Sequence, residues 1–470
     1  MYVEQIYTGC LSEAAYYVES DGEVAIIDPL RDTDQYIELA KTRKAKIKYV
    51  FETHFHADFV SGHIDLAAKT NSTIIYGPKA DPEYDVHIAK DGERFKLGKV
   101  EFEVPHTPGH TPESSCYLLR DQEGKEYALF SGDTLFVGDV GRPDLIDEKI
   151  SKEDMAGMLY DSLNDRIKPL PVDVILYPAH GPGSACGKNI SSETYSTIGE
   201  QLKTNYALQD MKREKFIKII TDEQTTPPQY FSYDIEINRK GYKSLDSIIK
   251  KNFKPLTVEE FEAEMENSYI IDTREHDVFE QAFIKGSINI GLDGRFAEWM
   301  GTLFKPEQPV ILVTEVGKEK ETIVRMARVG YENVNGFLDG GFASWIKADK
   351  GIDVVITIEA QELDLDLKLD KEIAVLDVRK EVEFEEGHIL GALNVPLQNL
   401  AETIEEATEQ PLHKEDKIYV HCQGGYRSMV AASILKKNGF INVKNIKNGY
   451  DSIKKSNLPI YSSTPVGSSN

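Results

Sequence analysis

A pattern that occurs twice in the C-terminal half sets the architecture. One copy begins YIIDTREHDVFEQAFIKGSINI (269–290) and continues PVILVTEVGKEKETIVRMARVGYENVNGFLDGGFASW (309–345). The other begins IAVLDVRKEVEFEEGHILGALNVP (373–396) and continues KIYVHCQGGYRSMVAASILKKNGFINVKNIKNGYDSI (417–453). Each has a strand ending in Asp-x-Arg, a Gly-Ser or Gly-Ala turn, a second buried strand, a loop, a helix and a closing NV…GG or NV…NGY stretch. Strand–helix alternation of this kind predicts a small parallel-sheet α/β unit for each copy. The stretch ITIEAQELDLDLKLDKE (356–372) separates the copies of the pattern. A chain of 470 residues is too long for one core. The division expected is 1–245, 246–352 and 360–462. The polar, Pro-containing DEQTTPPQYFSYDIEINRKGY (222–242) reads as the exit linker of the first domain.

The first domain alternates short apolar strands with helical patterns: EVAIIDP (23–29), IKYVFETH (47–54), STIIYGP (72–78), YALFSGD (127–133) and VDVILYPAH (172–180). Several strands end at a His or Asp followed by Gly, Pro or Ser, the usual place for chemistry in layered α/β folds. Six of the eleven histidines fall in such stretches, so a metal centre explains them better than chance. They are THFHADFVSGH with His54, His56, Asp58 and His63, then HTPGH with His106 and His110, SGD with Asp133, and PAH with His180.

Four separated motifs in this order, HxHxD, HTPGH, SGD and PAH, resemble the metallo-β-lactamase superfamily over most of residues 1–230. Within it, the chain looks most like the persulfide dioxygenases, which oxidise the terminal sulfur of a thiol persulfide using one iron. The resemblance implies an αββα sandwich with one Fe2+ held by His54, His110 and Asp133. In this scaffold a second metal would use Asp58, the residue after it and His180. Phe59 stands after Asp58 and offers no lone pair. The set that remains is two imidazoles and one carboxylate, the facial triad of non-haem Fe(II) oxygenases, with open positions for persulfide sulfur and O2. His56, Asp58 and His180 then become neighbours that orient ligands or handle protons. Arg142, in the GRPD loop, has two readings: pairing with a substrate carboxylate, or bracing the loop through Asp144. After His180 the glutathione-persulfide enzymes would have Asp-Tyr, whereas this chain has Gly181 and Pro182. That loop also brings Cys186 toward the metal, to carry sulfur or to line the substrate entrance. Cys10 and Cys116 read as buried filler.

VHCQGGYRS places Cys422 after a buried strand and before a helix starting near Ser428. The N–H groups of a tight loop containing Gly424 and Gly425 would converge on the sulfur and stabilise negative charge there, which makes a nucleophile. Arg427 adds a fixed positive charge. This resembles a rhodanese, a sulfurtransferase that carries sulfane sulfur as a Cys-persulfide. Four residues separate Cys422 from Arg427; phosphatases of the same shape have five and a wider loop. Asp377 and Arg379 read as a structural ion pair. The middle copy keeps Asp272 and Arg274 but has Glu315 at the Cys position, so it is expected to be catalytically silent.

The full fold expectation is an α/β multidomain chain, an αββα sandwich followed by two small parallel-sheet rhodanese domains. The function expected is oxidation of a low-molecular-weight thiol persulfide by O2 to sulfite, then sulfur transfer through Cys422 to give thiosulfate, a sulfide detoxification. Two other classes fit the same residues: a zinc thioester hydrolase with sulfur-carrier domains, and a non-catalytic trap for sulfane sulfur at Cys422. The net charge of −25, from 79 acidic and 54 basic residues, argues against nucleic acid and anionic membrane as partners. Four scattered cysteines and the lack of a basic, apolar leader suit a reducing cytoplasm. The carrier thiol and the oligomeric state, a homo-oligomer included, are left open.

Overall fold

A computed structural model describes residues 1–145, 150–222, 227–405 and 412–463. The chain divides into two compact units, one of residues 1–250 with 324–332, the other of 251–323 with 333–470.

Unit one is built on two six-stranded sheets. The first runs in the order β1 (Tyr2–Thr8), β2 (Glu13–Ser20), β3 (Glu23–Ile27), β4 (Lys46–Glu52), β5 (Thr73–Tyr76), β6 (His87–Ile88). The second contains β7 (Glu93–Leu97), β8 (Val100–Val104), β9 (Tyr117–Arg120), β10 (Glu126–Gly132), β11 (Ile175–Pro178) and β12 (Ser196–Thr197), in the order β12-β11-β10-β9-β8-β7. The chain enters each sheet through antiparallel hairpins and adds parallel pairs, β3–β4 and β4–β5 in one, β10–β11 in the other.

Alternate side chains of one strand serve two cores. In β2, Ala14, Tyr16 and Val18 join Phe51, Phe102, Tyr117 and Phe130 between the sheets. Ala15 and Tyr17 point the other way, onto Tyr36 and Ala40 of the helix Asp34–Arg43. In β10, Ala128 and Phe130 face inward, while Leu129 packs on Leu159 of the helix Lys152–Ser162. The central strands β2, β3 and β10 are buried on both faces, which is why they read as near-continuous apolar runs, while β1, β6 and β7 at the sheet edges carry exposed side chains. The result is the expected αββα sandwich.

Residues 222–242 differ from the linker reading. Residues 223–226 lie outside the described residues, and Tyr230–Lys240 is a helix that buries Tyr230, Phe231, Asp234 and Asn238. Tyr230, Asp234 and Asn238 recur every four residues, one face of a helix. Two of those three are polar, so the face carries no hydrophobic signature.

Unit two holds two five-stranded parallel sheets of matching order. One is Pro255–Leu256, Val334–Leu338, Val310–Val313, Tyr269–Asp272, Ser287–Asn289; the other is Ile356–Ile358, Val443–Ile446, Lys417–His421, Ile373–Asp377, Leu393–Asn394. The repeat is therefore structural. It also reaches further upstream than its sequence pattern. In the 356–372 stretch, Ile356–Ile358 is an edge strand paired with Val443–Ile446, and Ala360–Leu369 is a helix. Three residues of strand carry too short an alternation to be distinguished from loop. Among the described residues, no helix is long and apolar enough to cross a membrane.

Candidate metal centre and sulfur loop

The metal-type residues sit just beyond strand ends, where the ladder stops and side chains turn toward one sheet edge. His54 and Asp58 follow β4, Asp133 follows β10, His180 follows β11, and His110 lies between β8 and β9. The loops after β4 and β10 are held against each other. Gly132 has φ 52°, and a Cβ there would lie 2.6 Å from the Thr53 side chain. A Cβ on Gly141 would lie 2.2 Å from the Asp133 carbonyl oxygen and 2.9 Å from His110 Nδ1. Only glycine lets the GRPD loop pass this close.

His54, His110 and Asp133 come together, one ligand atom from each lying within 4.8 Å of the others, all buried. The remote ring nitrogens are fixed. His110 Nδ1 is 2.8 Å from the Arg142 carbonyl oxygen. His54 Nδ1 is 3.0 Å from Thr53 Oγ1, which donates to Asp28 at 2.9 Å. Each Nε2 is thereby aimed at Asp133 Oδ2, at 3.3 Å for His110 and 4.0 Å for His54. Burial holds both imidazoles below their ordinary pKa, more strongly for His54, where neighbouring His56, His110 and His180 add to it. Neutral imidazoles present the lone pairs a cation needs. Among the described residues, His110 Nε2 and both Asp133 oxygens have no hydrogen-bond partner although buried. Orphaned acceptors of this kind are costly unless something fills the space between them. The donor set fits a divalent transition metal.

The neighbouring residues divide around this trio. His56 stacks on Phe59, ring centroids 4.3 Å apart, and its Nε2 lies 3.0 Å from Asp28 and 3.6 Å from Glu52. His180 Nε2 lies 3.5 Å from both Asp133 Oδ1 and Asp58 Oδ2. Burial works against a charged His180, but the Asp133 and Asp58 carboxylates outweigh it and raise its pKa. Arg142 is buried and donates to both oxygens of Asp144 at 2.7 and 2.8 Å, the bracing geometry. Its backbone N–H donates to the Cys186 carbonyl at 3.0 Å, and Cys186 is itself buried near Asp58 and His180.

Sequence reading misses Asn238. Its side-chain amide donates to the carbonyls of His56 and Phe59, both at 2.8 Å, and its oxygen accepts the Ser61 N–H at 2.9 Å. One residue 180 positions downstream clamps the loop that carries His54 and Asp58. An isolated Asn in a polar stretch gives no sign of that.

In unit two, Cys422 follows the strand Lys417–His421 and precedes the helix Tyr426–Lys437, which starts two residues before the expected point. The Gly425 N–H donates to Cys422 Sγ at 3.1 Å, and Ser428 Oγ lies 3.6 Å from the sulfur. Gly425 has φ 113°, which brings that N–H round; Gly424 is the exposed rim of the loop. Arg427 is engaged bidentately by Glu383 at 2.6 and 2.8 Å. Tyr426 donates to the Gly291 carbonyl of the first copy at 2.9 Å.

Beneath the loop, Arg379 pairs with Asp377 at 2.7 Å, donates to the Gly387 carbonyl and lies under the Tyr450 ring at 3.9 Å. The first copy repeats this arrangement: Arg274 pairs with Asp272 at 2.6 Å, donates to the Ala282 carbonyl and lies under Phe342 at 3.9 Å. The residue at the place of Cys422 differs from the expected Glu315: Val313 pairs with Asp272 as His421 pairs with Asp377, so buried Thr314 follows the strand where Cys422 does, and Glu315 is exposed one residue further on, in a loop one residue longer. Glu315, Glu275, Asp293 and Lys318 line a cavity with about 20 Å³ of water-accessible space, room for about one water.

Comparison with known proteins agrees with this geometry. The family model of the metallo-beta-lactamase superfamily matches residues 8–180, and that of the rhodanese-like domain matches twice, over 257–348 and 359–456. Persulfide dioxygenase ETHE1, mitochondrial, of Homo sapiens is 28% identical over 220 residues, 46% of this chain and 79% of its own length. Probable hydroxyacylglutathione hydrolase glo2 of Schizosaccharomyces pombe is 32% identical over 198 residues, 41% of this chain and 72% of its own. The crystal structure of a metallo-beta-lactamase from Staphylococcus aureus subsp. aureus COL is 31% identical with a TM-score of 0.64, covering 72% of this chain and 98% of that one. The chain belongs to the metallo-beta-lactamase superfamily and carries two rhodanese-like domains.

Proposed function

We propose that the protein is a persulfide dioxygenase joined to a sulfurtransferase. The observation that carries this reading is the pairing of a buried two-His, one-carboxylate trio with a glycine-rich Cys loop on one chain. Fe2+ held by His54, His110 and Asp133 would bring O2 and a persulfide sulfur together. The balance is RSSH + O2 + H2O → RSH + SO3²⁻ + 2 H⁺. Thr53 and the Arg142 carbonyl hold the two imidazoles in orientation. Asp58 and His180 would accept the protons released; the 3.5 Å approach of their side chains at the edge of the trio supports this reading.

Cys422 supports the second step. As Cys422–S–S⁻ it passes its outer sulfur to sulfite: the S–S bond breaks, a sulfur–sulfur bond to sulfite forms, and thiosulfate leaves with Cys422 as thiolate. The Gly425 N–H stabilises the departing negative charge. The first rhodanese copy is silent: neither Thr314, at the place of Cys422, nor the neighbouring Glu315 is a sulfur nucleophile, and three carboxylates around a one-water cavity disfavour a sulfur oxoanion. The protein acts in the disposal of sulfide-derived sulfur in a reducing compartment.

The test is anaerobic loading with Fe2+, followed by O2 uptake with the persulfides of glutathione, coenzyme A and a bacillithiol-type thiol. Uptake with one of them, together with thiosulfate formation that Cys422→Ser abolishes while sulfite production continues, is the expected result. No uptake with any persulfide, alongside thioester hydrolysis by the Zn2+ form, would replace this reading with the hydrolase that the 32% identity to glo2 favours.

A further inference from the structure

Residues 324–332 fall in unit one, although the rhodanese-like match runs unbroken over 257–348. They are the last turn of the helix Glu319–Ala327 and the turn that follows it. Gly330, at φ 70°, closes that helix: its N–H donates to the Ala327 carbonyl at 3.2 Å, and the Tyr331 N–H to the Met326 carbonyl at 3.1 Å. A helix closed in this way still has end carbonyls that seek donors from elsewhere. The rest of unit one supplies them. Arg31, fully buried, donates from Nη1 to the Ala327 carbonyl at 2.8 Å and pairs through Nη2 with Glu332 at 2.6 Å. The Val60 N–H donates to the Arg328 carbonyl at 2.7 Å.

Val60 lies on the loop that carries His54 and Asp58. Three successive N–H groups of that loop are held by three separate segments: Val60 by the Arg328 carbonyl, Ser61 by the Asn238 side chain, and Gly62 by the Pro29 carbonyl at 2.7 Å. The Arg328 side chain makes a second attachment. Its Nε and Nη2 donate to the two oxygens of Asp32, both at 2.9 Å, a two-point, charge-assisted grip. Gly330 fits closely against the helix Tyr230–Lys240 that carries Asn238. A Cβ there would lie 2.5 Å from Asp234 Oδ1 and 2.9 Å from the Tyr233 ring. Arg328 thus holds the metal loop by its backbone and the loop after β3 by its guanidinium.

We propose that residues 324–332 are a strap of the metal centre, in which Arg328 is a positioning residue that fixes the 54–63 loop through Val60. A copy without a sulfur nucleophile then has a task of its own: its sequence supplies the strap. Seating the strap and ordering the loop are one event, so metal binding at the trio and closure of the strap favour each other. The proposal rests on the trio holding a divalent metal. It is the same for an oxygenase and for a hydrolase.

The experiment is hydrogen exchange of the full-length chain, metal-stripped and Zn2+-loaded, read in peptides spanning 54–63 and 324–332. Zn2+ affinity is measured alongside by competition with a chromophoric chelator. In the parent, Zn2+ should slow exchange in both peptides. Arg328→Ala and Gly330→Ala should speed exchange in both by about tenfold, weaken Zn2+ binding to a similar degree and leave β8 and β9 unchanged. Arg328→Lys, which keeps the charge and loses the two-point grip, should fall between parent and Ala. If Ala also loosens β8 and β9, the fold itself has failed and Arg328→Lys decides in its place. Strap peptides that open while 54–63 and Zn2+ affinity keep their parent values would overturn the proposal, as would Zn2+ protection confined to 54–63. The measurement uses neither persulfide nor O2, so its failure and a failure of the dioxygenase reading are separate results.

Discussion

Asn238 offers the sharpest test of how the metal loop is held. Replacing it by Ala removes three hydrogen bonds at once, two to carbonyls and one from an amide, in a position 1% exposed. At about 1 kcal/mol net per buried bond, and more where a group is left unpaired, the loop should open about 3 kcal/mol more easily. That is roughly a hundredfold faster exchange of its amide hydrogens in the peptides spanning 54–63. Asn238→Asp separates donors from packing. It keeps the acceptor for the Ser61 N–H but sets a carboxylate against the carbonyls of His56 and Phe59, so it should be worse than Ala. Since His54 lies on this loop, affinity for a divalent transition metal should fall at least tenfold in both variants. Unchanged exchange in Asn238→Ala, or an Asp variant milder than the Ala variant, would refute the clamp.

Two further outcomes follow from buried charge. Asp377→Asn leaves the Arg379 guanidinium enclosed without its counter-ion, and unit two should lose about 3–5 kcal/mol, read as the shift of its unfolding transition in denaturant. His63 is buried, and burial first, with His56 nearby, holds its pKa down to about 3 from 6.5. A histidine depressed in the folded state contributes stability that is complete above about pH 6.5 and is lost as pH falls from there toward 3, at about 1.4 kcal/mol per pH unit. His63→Gln, which retains a partner for the Tyr84 hydroxyl, should flatten the dependence of the denaturation midpoint between pH 6.5 and 5 by about one proton. Parallel pH profiles for parent and variant would contradict this.

What could be read from the chain follows the range of the interactions involved. His54, His110 and Asp133 were legible because each follows a strand end within a short motif, and strand ends meet at one edge whatever the loops do. The repeat was legible from Asp-x-Arg because a buried ion pair tolerates few substitutes. Asn238 was not, because its partners lie 177–182 residues away and its helix face mixes Tyr, Asp and Asn. Cys186 was visible as a nearby thiol, but not as a neighbour of Asp58, since that contact depends on the path of one loop between two backbone ties. Ile356–Ile358 was lost to its length: three residues make an edge strand only when Val443–Ile446 is there to pair with.

The twin Asp-x-Arg platforms bear on how such a chain can change. In both rhodanese-like copies the ion pair, its carbonyl and its aromatic lid lie under the loop, and in the second copy the lid meets the tip through backbone, the Tyr450 N–H donating to the Cys422 carbonyl at 2.7 Å, a bond any residue there can accept. The side chain at the tip can therefore be rewritten while the scaffold keeps its bonds, and Thr314 at the counterpart of Cys422 is one such rewriting. Position 314 is in effect a socket on a finished base, open to drift in nature and to grafted chemistry in the laboratory.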